Sequence, residues 1–266
     1  MFLLTVGKYI RLTLYTVRMH LISEMQNKYN FILQTIGMLF NDAALMVLWM
    51  IFFKKFPVVN GWQFSDTALL IGISWSGFFV FHFFASGIYE LTTFVNTGQF
   101  DQYLLLPKSI IWQIAVSRSS FFELGSLIVS IYMLYISGHV TLVKIPFLLV
   151  LIMISAIITF NFALMLQTLS FYFSNLEYTL EKMTKTLFDL VFFPQSVFNN
   201  VILFIMMTII PAFFIGTVPM QLIKQFQWSS FLLLLAFTAM QSTLAYLFFK
   251  KGLQRYESGN SINVKM

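Results

Sequence analysis

Four ionisable side chains interrupt apolar stretches of this 266-residue sequence: Asp42 in LFNDAALM, Arg118 and Glu123 in SRSSFFELG, and Asp189 in LFDLVFF. At the centre of a helix in hydrocarbon such a group costs about 2.5–3.5 kcal/mol, so each must find a partner or a watered path. Asp42, with Asn41 beside it, lies deepest and reads either as a hydrogen bond to another helix or as part of a transport path. Asp189 offers the same choice. Arg118 and Glu123 are separated by about 140° on a helix, so they are expected to seek different partners, as anchors of their helix before substrate contacts. None of these groups belongs to a catalytic constellation. The chain lacks G-x-x-x-x-G-K-[ST], H-E-x-x-H and G-x-S-x-G, and its histidines, His20, His82 and His139, are scattered. It has no cysteine, which excludes disulfides, thiolate chemistry and cysteine-ligated zinc. An enzyme is not expected, an intramembrane lipid enzyme included.

The elements that carry these residues are membrane spans. The sequence is 59% apolar and only 10% charged, with a mean hydropathy of +0.82. Soluble domains carry about 25% charged residues, so lipid is the solvent this composition suits. Apolar stretches at 31–53, 67–89, 110–136, 145–169 and 228–249 are each long enough to cross about 30 Å of hydrocarbon. Between 187 and 218 the chain is almost wholly apolar, yet Pro194, Pro211 and Pro219 break it. That pattern predicts a fifth span over 176–195 and a re-entrant segment over 197–224, since irregular backbone at membrane depth must be shielded by protein or line a cavity. Hydropathy alone would instead put the fifth span at 187–210. The reading is an all-α integral membrane protein of six spans forming one domain over 1–266, with no room for a separate soluble domain.

Lysine and arginine set the orientation. With the N-terminus inside, twelve fall on the inner side and four (Lys54, Lys55, Lys144, Lys224) on the outer, which predicts cytoplasmic termini. The formal net charge of +6 fits lipid headgroups and topology, not nucleic acid. Within 1–30, Leu3, Val6, Ile10, Leu14, Val17 and Leu21 form one helical stripe, with Lys8, Arg11 and Arg18 roughly opposite. This predicts a helix lying in the membrane interface; packing of the same helix against the bundle is the alternative. The same residues are too charged for a cleavable signal. No internal repeat is visible.

The loop at 90–109 is the most informative polar segment. Leu91, Phe94 and Val95 suit a short amphipathic helix, Gly98 ends it, and Asp101 can cap the turn that follows. Apolar residues on a cytosolic helix look for a partner groove, or else for the underside of the protein's own spans. The second inner loop, SNLEYTLEKMTK, offers a smaller contact.

Taken in order, these segments resemble the permease subunits of ABC type-2 exporters, in particular the small six-span bacterial branch. The resemblance rests on the helix leading into EMQNKYNFIL, on G-x-F-D-x-x-L-L-x-P at 98–107, on the proline-punctuated FPQSVFNNVILFIMMTIIPAFFIGTVP, and on the basic KKGLQRYESGN. Phe171-Tyr172 stands where that branch often has Phe-Trp. The resemblance implies that the 90–109 loop, through Leu91, Phe94, Gly98, Phe100, Asp101, Leu104 and Pro107, docks on a separate ATPase subunit in the cytoplasm. It implies a second permease chain, identical or a sister, around a shared path, and an extracellular gate after Pro194. ATP and magnesium would bind the ATPase, with no cofactor on this chain, and the location would be a bacterial plasma membrane. The cargo is left open among drugs, peptides and lipids. The competing reading is a secondary transporter or channel driven by an ion gradient, for which Asp42 or Asp189 would be the site.

Overall fold

The computed structural model describes residues 2–173, 176–195 and 198–256. The basic terminus beyond Tyr256, the first two residues of the second inner loop and the start of the expected re-entrant segment lie outside the described residues.

Among the described residues the named elements are all helices. α1 (Phe2–Gln26) leads at Asn27 into α2 (Lys28–Lys55), where the Asn27 side chain accepts from the Asn30 amide at 3.4 Å. α3 (Phe64–Ala85) begins with Asp66 accepting from the Gln63 amide at 3.1 Å, a carboxylate placed at the positive end of the helix. A 3₁₀ turn, Ser86–Glu90, continues into α4 (Leu91–Thr97), and α5 (Asp101–Leu104) and α6 (Ile110–Ala115) follow. The next elements are α7 (Leu124–Ile136), α8 (Ile145–Thr168), α9 (Glu177–Val191), α10 (Asn200–Thr208), α11 (Val218–Lys224) and α12 (Trp228–Leu253).

α3 is the hub: every residue from Asp66 to Phe78 is buried, between α7 on one side and α8 on the other. Lipid gives helices no hydrophobic reason to associate, so close packing and small hydroxyls do that work. Ser76 on α3 donates to Ser130 on α7 at 3.2 Å. α2 packs on α7 and α12 on α8, and both present most of their surface outward.

Among the described residues four helical stretches are long and apolar enough to cross a membrane: Lys28–Lys55, Phe64–Thr97, Leu142–Phe171 and Trp228–Leu253. The pair Asn200–Thr208 and Phe213–Lys224, bent by 77°, makes a fifth if counted as one span. Two expected spans depart from the sequence reading. The third is broken: α6 stops at Ala115, residues 116–120 leave the helix, and Phe121–Ile136 resumes it. The polar run Ser117-Arg118-Ser119-Ser120 leaves the helix for other partners, with the Ser120 amide donating to the His82 carbonyl of α3 at 3.1 Å. The fifth is α9, whose 15 residues rise only about 22 Å and include Glu177, Lys182, Lys185 and Asp189. Length and polarity both fall short of a span.

The bend after α10 has a local cause and a tertiary support. Pro211 lacks an amide donor, and the chain passes through a π turn over Phe213–Thr217 before α11. There the Ile215 carbonyl accepts from Ser155 of α8 at 2.7 Å. Gly216 lies so close to α3 that a Cβ would stand 2.6 Å from the Ser74 hydroxyl and 2.7 Å from Leu70. Irregular backbone is thus buried in protein and hydrogen-bonded, the condition lipid imposes.

Candidate functional site

The loop at 90–109 divides into an inward half and an outward tip. In α4, Leu91 and Val95 are buried beneath the chain's own helices. Thr92 donates to Gln167 of α8 at 2.5 Å, and Thr93 to Glu177 of α9 at 2.8 Å. Gly98 takes φ of 74°, the left-handed conformation that ends a helix most cheaply without a Cβ, and the chain turns back so that the Phe100 amide reaches the Phe94 carbonyl at 3.0 Å.

That turn places Phe100, wholly buried, against Phe171 (5.3 Å between centroids) and Tyr256 (4.8 Å). Phe171 in turn meets Phe249 of α12 at 5.8 Å. Beside this cluster Tyr172 stacks on Phe248 at 5.6 Å, with the Arg255 guanidinium 4.9 Å over the Tyr172 ring. Asp101 faces the Tyr256 hydroxyl; burial first, and then the Asp101 carboxylate, push that phenol up to about 12. Rings thus join the loop, the end of α8 and the end of α12.

The tip differs. Phe94 is half-buried and packs on Tyr103 at 5.2 Å. Leu104, Leu105 and Leu106 are 43%, 86% and 51% exposed, and Pro107 is exposed after them. The apolar surface of this loop is therefore at 104–107, while Leu91 and Phe100 hold the loop to the bundle.

The polar residues within the spans form a track across three elements. Asp42, 4% exposed, accepts from Asn41 at 3.1 Å through one oxygen and has no hydrogen-bond partner on the other. The Ser126 hydroxyl lies between two carboxyls, donating to Glu123 at 3.2 Å and interacting with Asp42. One hydroxyl proton cannot serve both at once. Glu123 stands 3.7 Å from His82 Nδ1, and His82 Nε2 lies 3.3 Å from the Tyr89 hydroxyl. Arg118 turns the other way, to Glu90 at 2.6 Å. Asp189 is exposed on α9 and takes no part in the track.

His82 and Tyr89 escaped the sequence reading. Their signal was seven-residue spacing, two helical turns, within a segment that otherwise reads as lipid-facing aromatic. A second missed group lies at the far end of α3. Asp66 pairs with Lys224 at 2.5 Å, and His139 approaches the same carboxylate at 3.7 Å. Lys144 donates to the Ile223 carbonyl at 2.8 Å. Burial, followed by the Lys224 charge, holds the His139 imidazole below its usual range. Among the described residues no three His, Asp or Glu side chains converge as a metal site.

A multi-pass helical protein, with one pinned loop baring an apolar tip, has the build of a membrane permease. The sequence places it more narrowly: residues 39–260 match the ABC-2 family transporter proteins, and the chain belongs to that family. It is accordingly the membrane component of an ABC transporter, in a family whose permeases have no catalytic activity of their own. No curated protein and no solved structure matched the chain.

Proposed function

We propose that this chain is the permease subunit of an ATP-driven exporter, coupled through the 90–109 loop to a separate ATPase subunit and paired with a second permease chain. Six crossings then require, besides the four long helices and the interrupted α6–α7 segment, that α9 and the residues after it to 195 cross sheltered by the neighbouring helices, since α9 alone is too short and too polar; the bent α10–α11 pair is then the re-entrant outer gate. The excess of basic residues on the loops at one side argues for cytoplasmic termini in a bacterial plasma membrane. ATP and magnesium sit on the partner, which supplies the energy; this chain supplies the path along its interface with the second permease.

The observation that carries the coupling role is the pairing of an exposed apolar tip with a rigid mount. Leu104 to Leu106 are bare, yet the loop behind them is tied to α8, α9 and α12 by Thr92, Thr93 and Phe100. A push on such a tip moves several helices together, as rigid-body switching requires. Leu104→Asp and Phe94→Asp should each insert normally into the membrane and lose most of the partner-stimulated ATPase activity and transport. Wild-type transport in both variants would overturn the docking role.

A further inference from the structure

α1 does not simply rest on the bundle. It lies across the start of α6, held by side chains from both. The Ser109 amide donates to the Tyr9 hydroxyl at 3.1 Å, and the Trp112 indole N–H to Thr13 at 3.2 Å. The Lys108 ammonium reaches the Lys8 carbonyl at 3.5 Å, and the Tyr9 and Trp112 rings meet edge to face at 5.7 Å.

Two hollows flank this helix and share Ile10 and Leu14 as a common wall. One is an apolar cavity of about 780 Å³ between α1 and α3, α6, α8 and α12. Its floor is Phe81, Ala156 and Phe160, and its open side is Met153, Ile157 and Tyr246, large side chains turned outward from α8 and α12. Along α8 its lining runs from Met153 to Phe160, about 10 Å at 1.5 Å per residue. One leaflet of hydrocarbon is about 15 Å deep, half of the roughly 30 Å core, so the cavity accommodates the larger part of an acyl chain. The other hollow, about 650 Å³, is rimmed by Lys8, Arg11, Arg18 and Lys108. Among the described residues no acidic side chain lines either hollow.

We propose that this double hollow is a binding site for one anionic diacyl phospholipid of the leaflet in which α1 lies. Its headgroup sits among Lys8, Arg11 and Lys108, and an acyl chain fills the cavity over Phe81, Ala156 and Phe160. Bulk lipid alone would wet the apolar cavity. What selects an anionic molecule is the cation rim joined to that cavity across a single helix, with no carboxylate among the described residues lining it. The site goes beyond the coupling reading, since Leu104, Leu105 and Leu106 line neither hollow.

Trp112 lines the cavity and reports on its contents. The purified chain is placed in nanodiscs containing graded fractions of phosphatidylglycerol or phosphatidylcholine with brominated chains. The Trp112 signal is taken as the difference between wild type and Trp112→Phe. The bound-lipid site predicts that brominated phosphatidylglycerol quenches this signal at a several-fold lower mole fraction than brominated phosphatidylcholine. Arg11→Glu and Lys108→Glu should each lower that preference by roughly fivefold or more, the fold-change expected for about 1 kcal/mol per surface cation. Ala156→Leu, which fills the floor, should weaken quenching by both lipids. Equal quenching by the two lipids, or a preference unchanged in the charge variants, would overturn the proposal and leave α1 bathed in ordinary annular lipid.

Discussion

At the end of α3 that carries the 90–109 loop, rings tie the loop to the ends of α8 and α12: Phe100 against Phe171 and Tyr256, with Phe249 behind them. At the other end, charges join α11 to α3: Asp66 pairs with Lys224, with His139 close by and Lys144 on the Ile223 carbonyl. Ring packing is non-directional, indifferent to salt, and lost only if water enters. An ion pair with a half-exposed lysine is weak in net terms, screened by salt and open to pH. The ring-packed loop should move with its helices as one piece, and the ion pair that latches the bent α10–α11 segment to α3 is the easier tie to break. The proposed export mechanism, coupled at one end and opened at the other, would use this asymmetry.

The sharpest way to break the comparison is to remove the central ring. Phe100→Ala should cost about 3–5 kcal/mol, the usual penalty for deleting a fully buried phenyl group. Thermal unfolding in detergent would register it, together with faster proteolysis of the 90–109 loop. A loss below about 1 kcal/mol would show that the rings merely touch. Smaller is the effect expected of Asp66→Asn, which loses the Lys224 pair and weakens the acceptor at the start of α3. Placed between an exposed and a buried pair, it should cost about 1–2 kcal/mol. Wild type should lose part of that margin in molar salt while the variant does not; Phe100→Ala should keep its full salt response.

The smallest effect concerns His139. Its imidazole titrates below the ordinary value of 6.5, so the unfolded chain binds the proton more readily than the native one. The contribution of this group is therefore complete above pH 6.5 and declines as pH falls through the lowered native value. Comparing unfolding of wild type and His139→Gln from pH 8 to 5 should give a difference that shrinks toward the acid side. A difference constant with pH would remove His139 from the latch.

Several features could be read from the residues alone. Long apolar runs produced α2, α3, α8 and α12 because insertion into lipid depends on a local sum of hydropathy that needs no partner. The turn at Gly98 was legible for a similar reason: a left-handed helix end is a local demand on one residue. The expected third span concealed its break, because whether a Ser-Arg-Ser-Ser run stays helical depends on what it can reach. Here Arg118 reaches Glu90, and Ser120 reaches the His82 carbonyl. α9 misled in the opposite sense, since its apolar end at Val191 was read together with the residues beyond it.

The candidate site was legible in outline and not in its division of labour. Leu91, Phe94, Phe100 and Leu104 are alike as apolar loop residues, yet Phe100 is wholly buried and Leu104 is bare. That difference follows from Phe171 and Tyr256, which approach from distant parts of the chain. The same holds for Asp42 and Glu123, which meet through Ser126, and for Asp66 and Lys224. By itself the sequence determined the solvent, the helical class, the lack of catalytic machinery and the family, since composition and ordered motifs carry these without any fold. Only the tertiary structure decided which apolar side chains face inward and which charges find each other, because burial and ion pairing belong to pairs of surfaces that the linear order leaves far apart.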